Sequence, residues 1–183
     1  MYRDVLTVSK SVCRMSMVTP SLRLVYFLAR FFGSVTKAVA ASHGADSAKL
    51  RVRLDNDLLV GVLLYAVTTS GYLDLRRRGL EISALCYEDL VARPVDMCRV
   101  VLEFCHLPVS LAELAVKAFD VDSQRNSILA KSVIGHLKEP QLTPQKTTRL
   151  NELLEKFGLP GLGEQDIIEG TLSCCYAATN KNC

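Results

Sequence analysis

The sequence has too little net charge to indicate a nucleic-acid partner, and it lacks an apolar run long enough to cross a bilayer. Its 22 Lys and Arg residues and 19 Asp and Glu residues leave a formal charge of +3, and the basic residues are scattered apart from Arg76-Arg77-Arg78. The longest apolar run, LLVGVLLYAV at 58–67, has ten residues, about half of what a transmembrane helix needs. We therefore expect no nucleic-acid partner and no membrane span.

The chain also lacks the apolar core of a secretory signal near its start. Arg3, Asp4, Lys10 and Arg14 are spread through the first twenty residues and interrupt any such core. The seven cysteines are an odd number, and three of them lie inside apolar periodic segments, which suits a reducing compartment. These features predict a cytoplasmic protein, with the Golgi lumen as the alternative for a longer parent protein.

The cysteines do not have the spacing of a metal site. Cys98, Cys105 and His106 match no zinc pattern, so two buried thiols on a helix are the preferred interpretation. The adjacent Cys174-Cys175 would strain a disulfide, which predicts free thiols there. We expect no metal.

The most frequent pattern in the sequence is the spacing of apolar residues that is typical of α-helices. Pro94 and Thr143-Pro144 mark helix starts, and Gly79 and Gly158 mark helix ends. Ser110 with Glu113 has the spacing of a capping box for the stretch LAELAVKAF. Together with the apolar spacing, these signals predict helices at 2–17, 57–78, 94–107, 111–119 and 144–157.

Two short continuous apolar runs indicate buried strands. They are LRLVYFLA at 22–29 and LEISALCY at 80–87, each beside a predicted helix. The alternation predicts a helix-rich α/β fold with a partial parallel sheet flanked by helices. Two strands leave a sheet incomplete, so the chain is expected to be part of a domain. We place a partial domain at 1–165 and a loose tail at 166–183.

One ordered set of segments resembles the sulfotransferase superfamily. The segment Tyr87-Glu88-Asp89-Leu90 after an apolar run, followed by a Pro-started helix and Phe104-Cys-His-Leu-Pro108, is similar to that family's YEDL segment. LRLVYFLAR, RRRGLEISALCYEDL, DSQRNSILAKS and LTPQKTTRLNELLEKFGLP resemble further family segments in the same order. The likeness covers residues 20–165 and corresponds to the family's C-terminal portion.

The resemblance implies a P-loop-type α/β fold and a donor site. The family transfers a sulfuryl group from 3′-phosphoadenosine 5′-phosphosulfate to a hydroxyl group, here one on a small molecule or a carbohydrate. Arg30 falls at the position of the arginine that holds the donor's 3′ phosphate, and Tyr87 at the residue on the adenine side. The competing interpretations are a water-facing strand-end arginine and a core aromatic residue.

Other positions depart from the family's pattern. Ala38 stands where the family has a phosphate-binding serine, which predicts weakened donor binding, with Ser34 and Ser42 as nearby substitutes. No GxxxxGK[ST] loop occurs in the sequence, so a catalytic residue has no counterpart here. The chain alone is expected to be inactive.

The remaining polar residues have simpler explanations than chemistry. Glu88-Asp89 suit the start of a helix rather than an acid–base pair. Ser123 and Ser127 have the composition of a turn. The alternative function, from another class, is a non-enzymatic interaction module that pairs through an uncovered sheet edge, and for the isolated chain we expect self-association.

Overall fold

A computed structural model describes residues 4–21, 23–24, 27, 57–120, 137–164 and 167–173. The chain divides into two compact units. The large unit comprises Asp4–Leu80 and Gln124–Asp166, and the small unit comprises Met1–Arg3, Glu81–Ser123 and Ile167–Cys183.

Two helices of the large unit pack closely on each other. Helix α1 spans Val5–Val18, and the Asp4 side chain accepts a hydrogen bond of 2.8 Å from the Thr7 N–H. Helix α2 spans Asp57–Arg77. A Cβ added to Gly61 would lie 2.5 Å from the Ser9 Cα, so only glycine permits this approach of α1 to α2.

Helix α6, Pro144–Lys156, packs against α2 and completes the large core. Thr143 caps it as predicted, because its hydroxyl accepts a hydrogen bond of 3.3 Å from the Lys146 N–H. Leu150, Leu153 and Leu154 are fully buried, as the apolar spacing predicts. Their cluster includes Val5, Leu58, Leu59, Val62, Leu63, Ala66, Val67, Phe157 and Leu159.

The small unit is a set of short helices. Helix α3 spans Tyr87–Ala92, α4 spans Pro94–Phe104, and α5 spans Ala112–Val116. Two 3-10 turns, Val109–Leu111 and Lys117–Asp120, flank α5. Their core contains Leu90, Met97, Cys98 and Ala112, none of which belongs to the core of the large unit.

The α/β prediction is wrong, because the residues that the structure describes contain no β-strand. In LRLVYFLA, the described residues Arg23, Leu24 and Phe27 are helical, and the Arg23 N–H donates to the Thr19 C=O at 2.9 Å. A short continuous apolar run cannot distinguish a buried strand from a helix by periodicity. The rest of that run lies outside the described residues.

The second predicted strand, LEISALCY, makes no ladder, and its last residue, Tyr87, is helical. Ala84 forms one isolated parallel bridge to Thr171. The Ala84 N–H donates to the Gly170 C=O at 3.0 Å, and the Leu172 N–H donates to the Ala84 C=O at 2.9 Å. Isolated bridges are too little pairing for a strand, so the partial parallel sheet is absent from the described part of the chain.

The predicted capping box at Ser110 is wrong, because α5 starts at Ala112 without a side-chain cap and a 3-10 turn precedes it.

By length and composition alone, Leu58–Arg77 would be able to cross a membrane, but half of it is buried in the chain. A core helix passes the same test, so the expected absence of a span remains a prediction.

Candidate functional site

The candidate site is built around the junction where a non-helical segment enters helix α3. Residues 81–86 belong to no helix, and pairing at Ala84 fixes their course on one side. Cys86 is the N-cap residue with φ −74° and ψ 125°, and Tyr87 is the first residue of the helix. The direction of the chain therefore changes directly before Tyr87, whereas the sequence predicts Tyr87 in the strand and the change at Glu88-Asp89.

Tyr87 itself is half-buried. One part of an amphipathic tyrosine in such a position packs on the protein while another part meets solvent. This placement is compatible both with an aromatic contact to a planar ring and with a residue at the edge of the core. Since α3 has only six residues, its N-terminus is too short to serve as an anion site by itself.

The two carboxylates after Tyr87 are held by local partners. The Asp89 carboxylate accepts a hydrogen bond of 3.2 Å from Arg93, one turn later in the chain. The Cys86 thiol donates to Glu88 Oε2 at 3.3 Å. Both acidic residues lie in the first turn of α3, where free backbone N–H groups favour negative charge. Their positions fit the structural role that the sequence indicates.

Burial is the main cause that raises the pKa of the Cys86 thiol, and its hydrogen bond to Glu88 acts in the same direction. Burial also raises the pKa of Cys98. A thiol with a raised pKa is a poorer nucleophile at neutral pH because less thiolate is present. Neither cysteine therefore resembles an activated catalytic thiol.

The other predicted residues are only partly brought together. Arg30, with Ala38 and the serines at 34, 42, 123 and 127, lies outside the described residues. The expectation of two buried thiols on one helix is half right, because Cys98 on α4 is buried and Cys105, directly after the end of α4, is exposed. Within the described part of the chain, no group of three or more His, Cys, Asp or Glu residues is arranged to hold a metal ion.

Sequence reasoning missed an exposed apolar surface on the small unit. Six large apolar side chains between residues 104 and 119 are 42% to 62% exposed. We call this set the hairpin surface, and its members are Phe104, Leu107, Val109, Leu111, Leu114 and Phe119. The available signal was composition, because FCHLPVSLAELAVKAF contains more large apolar residues than short helices with one buried face can cover.

Comparisons of the chain with protein-family models, with curated proteins and with solved structures gave no match.

Proposed function

We propose that this chain is related to the sulfotransferases and carries the donor-side segment around Tyr87. In the complete reaction, the sulfuryl group of 3′-phosphoadenosine 5′-phosphosulfate would pass to a hydroxyl group of a small molecule or carbohydrate. The observation that supports the proposal is the junction at Tyr87, where a paired non-helical segment runs directly into a helix with two acidic residues in its first turn. The proposal concerns this segment and does not depend on a sheet.

The proposal gives each residue a separate chemical role. Tyr87 would offer its ring to the adenine, because a partly exposed aromatic side chain can stack on a base. Arg30 would bind the 3′ phosphate through charge-assisted hydrogen bonds. The chain contains no Gly-Lys-Ser/Thr loop for the 5′ phosphosulfate, so the proposed role is binding of the donor's nucleotide without transfer.

Calorimetric titration with adenosine 3′,5′-bisphosphate tests the binding roles. Arg30→Ala should weaken binding by about 1.5–3 kcal/mol, or roughly 10- to 150-fold, because a charged contact to the phosphate is lost. Ala38→Ser should strengthen binding modestly by restoring a hydroxyl donor. Arg23→Ala, at an exposed arginine, is the control and should leave affinity unchanged.

Adenosine 5′-monophosphate is the matched ligand, since it lacks the 3′ phosphate. Wild type and Arg30→Ala should bind adenosine 5′-monophosphate with the same affinity. Equal affinity of wild type and Arg30→Ala for the bisphosphate would remove Arg30 from the site. A radiolabel assay with the sulfuryl donor should show no transfer to hydroxyl acceptors, because the positioning and electrostatic contributions of a phosphosulfate loop are missing.

A second candidate is a non-enzymatic interaction module. The hairpin surface favours it, because soluble domains seldom leave several large apolar side chains together in water without a binding role. No measurable affinity for either nucleotide, together with partner binding through this surface, would favour the module over the donor-binding proposal.

A further inference from the structure

The hairpin surface lies on one helical hairpin of the small unit. Helix α4 packs directly on both the Val109–Leu111 turn and α5. The core face of this hairpin is already occupied, because Met97 and Ala112 are almost completely buried. Leu111 and Leu114 are three residues apart and exposed, so they belong to a different face from Ala112. The exposed side chains are therefore not simply the outer part of the core.

The small unit also carries a strong excess of negative charge. Its described residues, 81–120 and 167–173, contain eight acidic and three basic side chains, a net charge of −5. Two of the three basic residues are engaged locally, Arg93 with Asp89 at 3.2 Å and Arg99 with Asp96 at 3.6 Å.

Acidic residues stand next to apolar ones in the sequence of the hairpin. Glu103 precedes Phe104, and Glu113 precedes Leu114. Glu103 and Glu113 are exposed, and neither forms an ion pair with a described basic residue. The small unit thus combines the exposed apolar side chains of the hairpin surface with an excess of negative charge, to which the exposed Glu103 and Glu113 contribute.

We propose that the hairpin surface binds a basic amphipathic helix of a partner protein. Leu or similar side chains on one face of that helix would cover Leu111 and Leu114, and Lys or Arg beside them would meet Glu103 and Glu113. An acidic helix would bury the same apolar area but bring like charges together, so charge selects the partner. This inference is independent of the donor-binding proposal, because it uses neither Arg30 nor Tyr87.

Fluorescence anisotropy with the full chain tests the inference. The probe is a fluorescein-labelled 18-residue helical peptide with Leu on one face and Lys on the other, and its matched peptide carries Glu in place of Lys. We expect the Lys peptide to bind at least about tenfold more tightly than the Glu peptide. The double variants Leu111→Ser/Leu114→Ser and Glu103→Lys/Glu113→Lys should each weaken binding by about tenfold.

Matched variants distinguish peptide binding at the hairpin surface from non-specific charge or apolar attraction elsewhere on the chain. Glu152→Lys/Glu155→Lys on α6 makes the same change in net charge, and Ile167→Ser removes an apolar side chain that is 77% exposed elsewhere in the small unit. Both should keep affinity within about twofold of wild type. Circular dichroism of every variant reports whether the helices remain folded.

Three results would overturn the inference. One is equal affinity for the Lys and Glu peptides, and another is an equal loss of binding in the matched variants. The third is a dimer in sedimentation that Leu111→Ser/Leu114→Ser dissociates, because a second copy of the chain would then be the occupant of the hairpin surface.

Discussion

His106 adopts a backbone conformation that the chain elsewhere assigns to glycine. Its φ is 56°, and it is the only described residue other than glycine with a positive φ. The His106 N–H donates to the Glu103 C=O at 3.0 Å and the Leu107 N–H to the Leu102 C=O at 2.8 Å, which is a Schellman end for α4. Helices α2 and α6 end in the same way at Gly79 and Gly158, with φ of 87° and 66°.

The first prediction is that His106→Gly stabilises the protein. Glycine adopts a positive φ without the Cβ clash, so we expect the free energy of unfolding to rise by roughly 0.5–1 kcal/mol in urea denaturation. Gly158→His is the reciprocal control and should lower it by a similar amount, since its surroundings leave open space and only the backbone is affected. A loss of stability in His106→Gly would show that the imidazole makes a contact outweighing the strain.

At the scale of elements, Gly61 decides how closely α1 and α2 approach. Glycine inside a helix is intrinsically unfavourable, so helix propensity alone predicts that Gly61→Ala stabilises by about 1 kcal/mol. The added Cβ would lie 2.5 Å from the Ser9 Cα, however, and backbone cannot move aside as a flexible side chain does. The second prediction is therefore net destabilisation of about 1–3 kcal/mol.

Thermal and urea unfolding of Gly61→Ala show directly whether the substitution stabilises or destabilises the protein. Thr68→Ala, at an exposed position in the same helix, is the control and should change stability by less than about 0.5 kcal/mol. If Gly61→Ala is more stable than wild type, the close packing of α1 on α2 is wrong.

The third prediction concerns the segment before α6. Glu139 accepts a hydrogen bond of 2.9 Å from Lys10 on α1 and lies 3.7 Å from Arg14. The hydrogen bond from Lys10 and its charge hold the pKa of Glu139 below its ordinary value of 4.5. The resulting stabilisation is present above that ordinary value and is lost as the pH falls through the lowered folded-state pKa.

Glu139→Gln should therefore reduce stability near neutral pH, and the difference from wild type should shrink as the solution is acidified. Urea midpoints from about pH 7 to pH 3, at low salt, measure this trend. Since the side chains are exposed, high salt should diminish the effect. A difference that persists unchanged at the lowest pH would assign the loss to packing instead of the carboxylate charge.

Whether an element could be predicted from the sequence depends on how close together in the chain the residues that determine it lie. The C-terminus of α2 and the N-termini of α4 and α6 were predictable, because Gly79, Pro94 and Thr143 act within one turn of the chain. The course of residues 80–87 depends instead on pairing between Ala84 and Thr171, 87 positions apart, which leaves no local pattern. The approach of Gly61 to Ser9 and the exposed state of Leu111 and Leu114 are likewise tertiary properties. No local pattern indicates the first, and only the apolar composition of residues 104–119 indicates the second.

At the scale of the whole molecule, the buried side chains form two separate clusters. Leu153 belongs to the cluster of the large unit and Met97 to that of the small unit, and both are fully buried. The fourth prediction is that Leu153→Ala and Met97→Ala each cost about 2–5 kcal/mol, because each leaves a cavity, but in different units.

Hydrogen exchange read by mass spectrometry resolves the two effects. Leu153→Ala should speed exchange in α1, α2 and α6 while α4 keeps its protection, and Met97→Ala should do the reverse. Each variant thus serves as the control for the other. Uniform loss of protection in both variants would mean that the clusters unfold as one cooperative core.

The fifth prediction addresses the central claim, that the segment around Tyr87 faces the adenine of a sulfuryl donor. Irradiation of the chain with 8-azidoadenosine 3′,5′-bisphosphate, followed by peptide mapping, tests it most directly. We predict label on the peptide that contains Tyr87, loss of that label with excess unlabelled adenosine 3′,5′-bisphosphate, and strongly reduced label in Tyr87→Ala. Label that is absent, that resists competition or that falls only on α6 would contradict the account.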